Sequence, residues 1–279
     1  MQLILFYFFE MKLLITFFLF VCCLAARSQE LFVYTEPASN MAAKSVGFRL
    51  NNSLMNVPGT ASYNYHFLPE VMVGMSKNVM FHAEAFFSNR NSNLVAEGGA
   101  IYLKYRLYSK DDVHSHFRMA AYGKAAINNS DIHQAAIDLN GHNSGLETGL
   151  VATQLLNKVA MSSGISYLYA ADNTNGNKFG YNDRSRHAIG YNLSVGKLML
   201  PKEYTSYNQT NLNLMAELLG QTNINTGSTF IDVAPSVQLI IQSRIRMDFG
   251  YRIPLIKDLQ RTTPGGALLR FEYNIFNAF

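Results

Sequence analysis

The sequence predicts an all-β fold: a transmembrane antiparallel up-and-down β-barrel of about twelve strands, preceded by a cleaved signal peptide. Three observations predict it. Large apolar residues recur at every second position over most of the chain, an export signal stands at the N-terminus, and the polar links between strands alternate between short and long. Composition agrees. The 279 residues are 48% hydrophobic and only 15% charged, with a mean hydropathy of zero. Aliphatic and aromatic residues are too plentiful for a disordered chain. Past residue 26 no apolar run approaches the ~18 residues that a membrane helix needs.

The N-terminus carries two candidate start sites. From Met11, Lys12 supplies the positive end, Leu13 to Leu24 the apolar core, and Ala26-Arg27-Ser28 the small residues for cleavage before Gln29. From Met1 the same signal carries an apolar extension interrupted by Glu10. The domain expectation is therefore a signal peptide over 1–28, an N-terminal periplasmic or plug segment over 29–43, and the barrel over 44–279. Cys22 and Cys23 both fall inside the signal, so the mature chain has no disulfide and no thiolate ligand. Loss of Glu10, Lys12 and Arg27 changes the net charge from +4 to +3, and no basic run exists. That balance gives no reason to expect a nucleic-acid partner.

The strands follow in order. Val46, Phe48 and Leu50 alternate with Gly47, Arg49 and Asn51. Tyr63, Tyr65, Phe67, Val71 and Val73 oppose Asn64, His66, Glu70 and Gly74. Val79, Phe81, Ala83, Ala85 and Phe87 oppose Met80, His82, Glu84 and Phe86. Ile101, Leu103, Tyr105 and Leu107 oppose Tyr102, Lys104, Arg106 and Tyr108. Phe117, Met119, Ala121, Ala125 and Ile127 oppose Arg118, Tyr122 and Lys124. The pattern is weaker around Leu146, Leu150 and Ala152 against Glu147, Gly149 and Thr153, and clear again from Val159 to Tyr169 and Ile189 to Val195. Leu212 to Leu218 oppose Asn211, Asn213 and Glu217. Ile231 to Ile241 oppose Asp232, Ser236 and Gln238. Ile245 to Ile253 oppose Arg246, Asp248, Gly250 and Arg252. A last strand sets Leu269, Phe271, Tyr273, Ile275 and Phe279 against Arg270, Glu272 and Asn274. Most of these runs match the ~9–11 residues that cross a bilayer when tilted.

Ser76-Lys77-Asn78, Leu156-Asn157-Lys158 and Gln242-Ser243-Arg244 read as tight turns, with 109–115 and 201–208 somewhat longer. Between them lie longer links at 51–62, 88–95, 128–144, 171–185, 221–229 and 254–266. Short links on one rim and long ones on the other are expected of an outer-membrane barrel, the short ones at the periplasm. A soluble barrel also alternates, but with its apolar face inside. Here the apolar face carries more bulk than a small lumen holds, while the other face carries Gly, Ser, Asn and charge. The lipid bilayer of the outer membrane is thus the expected partner and location.

Two resemblances add to this reading. The run Leu269-Arg270-Phe271-Glu272-Tyr273-Asn274-Ile275-Phe276-Asn277-Ala278-Phe279 resembles the terminal strand of bacterial outer-membrane proteins. That implies recognition by the barrel-assembly machinery through Phe271, Tyr273, Ile275 and Phe279. In style and layout the mature chain resembles uncharacterised outer-membrane barrel and transporter-like proteins of Bacteroidota-type bacteria, with Tyr34-Thr35-Glu36-Pro37-Ala38-Ser39-Asn40-Met41 adding to the likeness. Neither transfers a functional residue.

The expected inward charges are Arg49, Lys104, Arg106, Arg118, Lys124, Arg246, Arg252 and Arg270, with Glu70, Glu84, Glu147, Glu217, Asp232, Asp248 and Glu272. Both signs are present in near balance, so pairing across strands is expected, because an unpaired buried charge is costly. They are the candidate pore-lining or lumen-pairing residues. The expected function is porin- or channel-like passage of small solutes. The alternative is a structural or surface-interaction barrel with a salt-bridged lumen.

No catalytic residue, cofactor or metal is assigned. Asn140-Gly141-His142-Asn143-Ser144-Gly145 resembles the active-site motif of outer-membrane phospholipases, which are also twelve-stranded barrels. Their Ser is followed by Asn and then Gly; here Ser144 is followed directly by Gly145, so the pattern is broken. His114-Ser115-His116 and the inward His66 and His82 are pairs of metal-capable rings that lack a third ligand. The 12 methionines sit mostly at strand positions, where packing explains them.

Overall fold

A computed structural model describes residues 32–279 apart from 58, 61, 91–92, 113–114, 180–184 and 203–207. The signal reading for 1–28, and His114 of the His-Ser-His run, lie outside the described residues. The strands are β1 (Ser45–Asn56), β2 (Tyr63–Gly74), β3 (Val79–Ser88), β4 (Val95–Asp111), β5 (Ser115–Asn128), β6 (Ser144–Leu156), β7 (Val159–Ala171), β8 (His187–Leu200), β9 (Asn211–Asn223), β10 (Thr229–Ile241), β11 (Ile245–Lys257) and β12 (Gly266–Ile275). Each pairs antiparallel with its neighbour in sequence, and β1 pairs with β12 to close the ring.

Burial decides which medium surrounds the ring. Leu103, Leu150, Ile165, Leu193 and Phe249 each leave half or more of their surface exposed on the outside. Arg49, Lys104, Glu217, Asp232 and Asp248 are the buried ones, at 2% exposure or less. A soluble barrel has the opposite distribution. An exterior of this kind is stable only in hydrocarbon, which also requires the closed ladder, since no water is there to satisfy a free edge. The chain is a transmembrane β-barrel of the outer-membrane type.

Several boundaries differ from the alternation-based expectation. β1 runs on to Asn56 and β11 to Lys257, past Asn51 and Pro254, where long links were expected to begin. β4 likewise continues to Asp111. β1 and β4 continue there on mostly polar residues and β11 on Pro254-Leu255-Ile256-Lys257, so a regular alternation of apolar side chains no longer marks a strand. β12 stops at Ile275, so Phe279 is not part of the last strand: Asn277 takes a left-handed φ of 54° and Ala278 donates its N–H to the Lys44 carbonyl. Pro69 and Pro235 stand inside strands. No ring strand has a free edge, yet each proline is matched on one side only, Pro69 to Leu50 and Pro235 to Ala216. A missing N–H costs the ladder a bond on the other side.

The lumen is occupied from both ends. From the short-turn side, the N-terminal segment 32–43 lies inside the barrel. Phe32 packs with Met215 and Leu268, and Met41 with Met72 and Met80. From the other side, the 129–143 link folds inward rather than standing clear of the rim. Its Ile137 and Leu139 pack among Leu68, Phe86 and Leu168 of three different strands.

The exterior reading generates a test. Leu150→Arg, at the middle of β6 on the lipid face, is expected to destabilise the barrel by about 2–4 kcal/mol, with Leu150→Phe nearly neutral. Urea titration of folding into phosphatidylcholine vesicles measures both.

Candidate functional site

All fifteen charges expected to face inward alternate with the lipid-side residues and project from the inner wall. Those nearest the short-turn end form one network. Arg49 of β1 reaches Glu272 on β12 at 2.9 Å, Glu70 on β2 at 3.1 Å and Glu36 of the N-terminal segment at 2.8 Å. Arg246 binds Asp248 at 2.9 Å and lies 3.6 Å from Glu272, and Arg270 lies 3.5 Å from Asp248. Glu70 also holds the Nδ1 of His82. Nearer the other end, Lys124 binds Glu84 at 2.9 Å, and Arg252 and Arg261 both bind Asp232. Charges taken out of water this completely persist only when each meets an opposite charge with good geometry.

Five of the fifteen stand outside these pairs: Lys104 and Glu217 hold the N-terminal segment, and the other three differ again. Glu147 meets the Tyr122 hydroxyl, 2.9 Å away. Arg118 binds Asp111, whose side chain is half exposed at the rim. Arg106 makes no ion pair among the described residues, and its Nε has no acceptor. The ladder between β4 and β5 slips by one residue immediately after it, between Arg106 and Tyr108.

The N-terminal segment is strapped across the short-turn end by side chains of many strands. Glu217 of β9 accepts the backbone N–H groups of Val33, Tyr34 and Thr35 at 2.9 Å each and the Thr35 hydroxyl at 2.7 Å. Lys104 of β4 donates to the carbonyls of Pro37 and Ser39, both at 2.8 Å. Thr153 of β6 accepts the Ala38 N–H at 2.9 Å, and Arg246 of β11 donates to the Phe32 carbonyl at 3.1 Å. The wall is cut away to admit the segment. A Cβ at Gly250 would stand 2.7 Å from the Tyr34 ring, and one at Gly74 would stand 2.1 Å from the Ala42 carbonyl oxygen. Burial works against charge on Glu36, but Arg49 and Lys104 beside it prevail and hold its carboxyl well below the usual carboxylate range.

The 129–143 loop spans the lumen from the opposite end. The side-chain amide of Gln221 on β9 donates to the Ile137 carbonyl and accepts the Ile137 N–H, both at 2.8 Å, as a neighbouring strand would. The N–H groups of Ala135 and Ala136 reach the Gln260 carbonyl at 3.1 Å. His142 stacks on His66 with ring centroids 4.7 Å apart and faces Arg90, itself bound to Glu97 at 2.6 Å. Burial, with Asp138 pulling the other way, depresses the His142 ring to about 3.

Between the strap and the loop lies a cavity of about 390 Å³. Arg49, Glu70, Glu84, Lys124, Glu147, Arg252 and Arg270 of the expected residues line it. Tyr34, Glu36, Asp138 and Arg261 also line it. Strand alternation had no means of finding those four, because they stand on the N-terminal segment and on loops. Glu97 was missed for another reason: the β3–β4 register shifts between Phe86 and Phe87, which puts it out of phase with Lys104.

The motifs resembling catalytic or metal sites do not assemble. Ser144 Oγ accepts the Asn128 N–H at 2.8 Å and donates to the Asn128 carbonyl at 3.0 Å, so it closes a loop and does not face His142. His66 and His82 both point inward but engage different partners, His142 and Glu70. His116 binds Asp111 at 2.9 Å. Among the described residues no group of three or more His, Cys, Asp or Glu side chains is placed to hold a metal ion.

No protein-family model and no curated protein matches the chain. Solved structures resembling it include the KdgM porin, at 8% identity over 82% of this chain and 98% of that one, with a TM-score of 0.49. The NanC porin shows 11% identity over 82% of this chain and 98% of that one, at a TM-score of 0.48. OprD of Pseudomonas aeruginosa shows 9% over 88% of this chain and 99% of that one, at 0.39. At such identities and scores the likenesses add no weight. The outer-membrane architecture stands on the strand count, the closure and the apolar belt.

The strap has a measurable signature. Glu217→Ala leaves the buried Val33 N–H and the half-buried N–H groups of Tyr34 and Thr35 without their acceptor, a loss of about 1–3 kcal/mol for the buried group. Amide hydrogen exchange at Val33, Tyr34 and Thr35 is expected to accelerate at least ten-fold, while mid-strand amides of β5 and β6 stay protected.

Proposed function

We propose that the barrel is a gated conduit for small solutes across the outer membrane. The observation that carries this reading is the charged chamber held between two removable closures. One is a strap fastened largely by polar contacts, and the other is an inward loop held by the Gln221 amide, the Gln260 carbonyl and the packing of Ile137 and Leu139. Permanent closure needs neither a chamber nor polar fastenings, since larger apolar side chains would seal a lumen of this size. Arg106 and Arg118, at the short-turn mouth, set the preference for one sign of ion in this reading, and the other inward charges line the path. The outward Phe271, Tyr273 and Ile275 of β12, with Phe279 beyond its end, serve recognition by the barrel-assembly machinery.

A second reading has one observation in its favour: the Arg49–Glu36–Glu70–Glu272 cluster ties the strap to three strands by ion pairs. In that reading the barrel is a sealed structural or surface-interaction protein. Conductance in planar lipid bilayers separates the two. The passage reading expects discrete conductance steps from the native protein, a several-fold rise with Glu217→Ala combined with Lys104→Met, and altered cation-to-anion selectivity with Arg106→Glu or Arg118→Glu. Absence of steps in all four proteins rejects passage in favour of the sealed barrel.

A further inference from the structure

The charges facing the chamber are not balanced wall by wall. On the β10–β11 side, Arg252 and Arg261 share the single carboxylate of Asp232, which leaves one positive charge in excess. Arg261 lies over the Phe230 ring at 3.9 Å. Its side chain is only 7% exposed, yet its Nε has no acceptor. A buried guanidinium N–H without an acceptor is costly, and it points to a group that the protein alone does not supply.

The opposite wall and the inward loop carry the complementary excess. Among the described residues, Glu147 of β6 meets the Tyr122 hydroxyl and no cation in an ion pair. Asp138, on the inward loop, accepts the Asn140 N–H at 2.8 Å and lies 3.8 Å from His142. The His142 ring is neutral near pH 7, as its depressed pKa of about 3 requires. Lys124, the nearby cation, is bound to Glu84 and Asn140. β6 and β11 stand five places apart in a ring of twelve, so Glu147 faces the arginine pair across the lumen, while Asp138 stands between them on the inward loop. Arg252, Arg261, Glu147 and Asp138 all line the one 390 Å³ cavity, with Ile137, Leu139 and Phe230 as its apolar surfaces.

We infer that this chamber binds a small zwitterion of the short-peptide class, its carboxylate on Arg252 and Arg261 and its ammonium on Glu147 and Asp138. A planar guanidinium pair matches a carboxylate in shape and charge. A compact ammonium suits two carboxylates that lack a cation. A solute with one charge satisfies one wall and leaves the other unmatched, so discrimination comes from both ends at once. The inference deepens the conduit reading by naming a solute class and rests on it.

The test is isothermal titration calorimetry of the full mature barrel in detergent micelles. The probes are dialanine, N-acetyl-dialanine, which keeps only the carboxylate, and dialanine amide, which keeps only the ammonium. Dialanine is expected to bind saturably and at least ten-fold more tightly than either blocked form. Arg261→Gln should weaken dialanine about ten-fold yet leave dialanine amide unchanged, with Arg261→Lys recovering part of the loss. Glu147→Gln should weaken dialanine similarly and leave N-acetyl-dialanine unchanged. Equal affinities for the three probes, or no saturable binding of dialanine up to its solubility limit, overturn the inference. Micelle calorimetry reads binding without conduction and the planar bilayer reads conduction without peptide, so either reading can fail while the other is seen to hold.

Discussion

Hydrocarbon offers no partner to an unpaired amide, and the rest of this molecule follows from that. Each strand must find two neighbours, so the first must meet the last, and β1 and β12 do so over a long, regular register. Closure then fixes which side of every strand is outside. With the period of side chains at two, the lipid claims one set of residues and the lumen receives the other. Polar groups gather on the inside because the bilayer excludes them, and once there they must satisfy one another.

That second requirement gives the lumen its internal order. An Arg or Glu on the inner wall has lost most of its water, and its attraction to a partner must offset that loss. The short-turn end meets the requirement with a mesh in which Arg49, Arg246 and Arg270 alternate with Glu70, Asp248 and Glu272. The N-terminal segment supplies one further carboxylate, Glu36, to the same mesh. Elsewhere its main-chain amides and carbonyls are met by Glu217, Lys104 and Thr153. The segment is therefore held as a polypeptide backbone is held in a peptide-binding groove, by its invariant polar atoms more than by its side chains. Apolar contact comes from Phe32 and Val33 at one end, Ala38 in the middle and Met41 at the other end.

How much of this was legible beforehand depends on which signal each residue sends. Alternation is imposed by the lipid on every strand, so strand number, order and inward face could be read directly, down to individual residues such as Lys104 and Glu217. The signal fades where the lipid ends. β1 and β11 outrun their regular alternation, and β12 stops short of the final aromatic because the chain turns left-handed at Asn277. The residues that shape the chamber were the least legible. Asp138, Arg261 and Glu36 acquire their places from long-range contacts of irregular segments, and nothing periodic announces a loop that turns inward. Gln221 was read as the start of the 221–229 link, whereas it lies inside β9 and partners Ile137, far from it in sequence.

The strap has a consequence for how the protein is made. Residues 32–43 precede every strand in the chain, yet the groups that receive them come from β4, β6, β9 and β11, and from β1 through Arg49. A part synthesised before any strand therefore has nowhere to settle until the wall is finished. Before that moment Glu217 and Lys104 lack the groups they are shaped to hold. A barrel that has failed to close is left with its own leading segment loose and its inner wall unsatisfied. Seating of the strap thus acts as a seal of completion on the whole assembly.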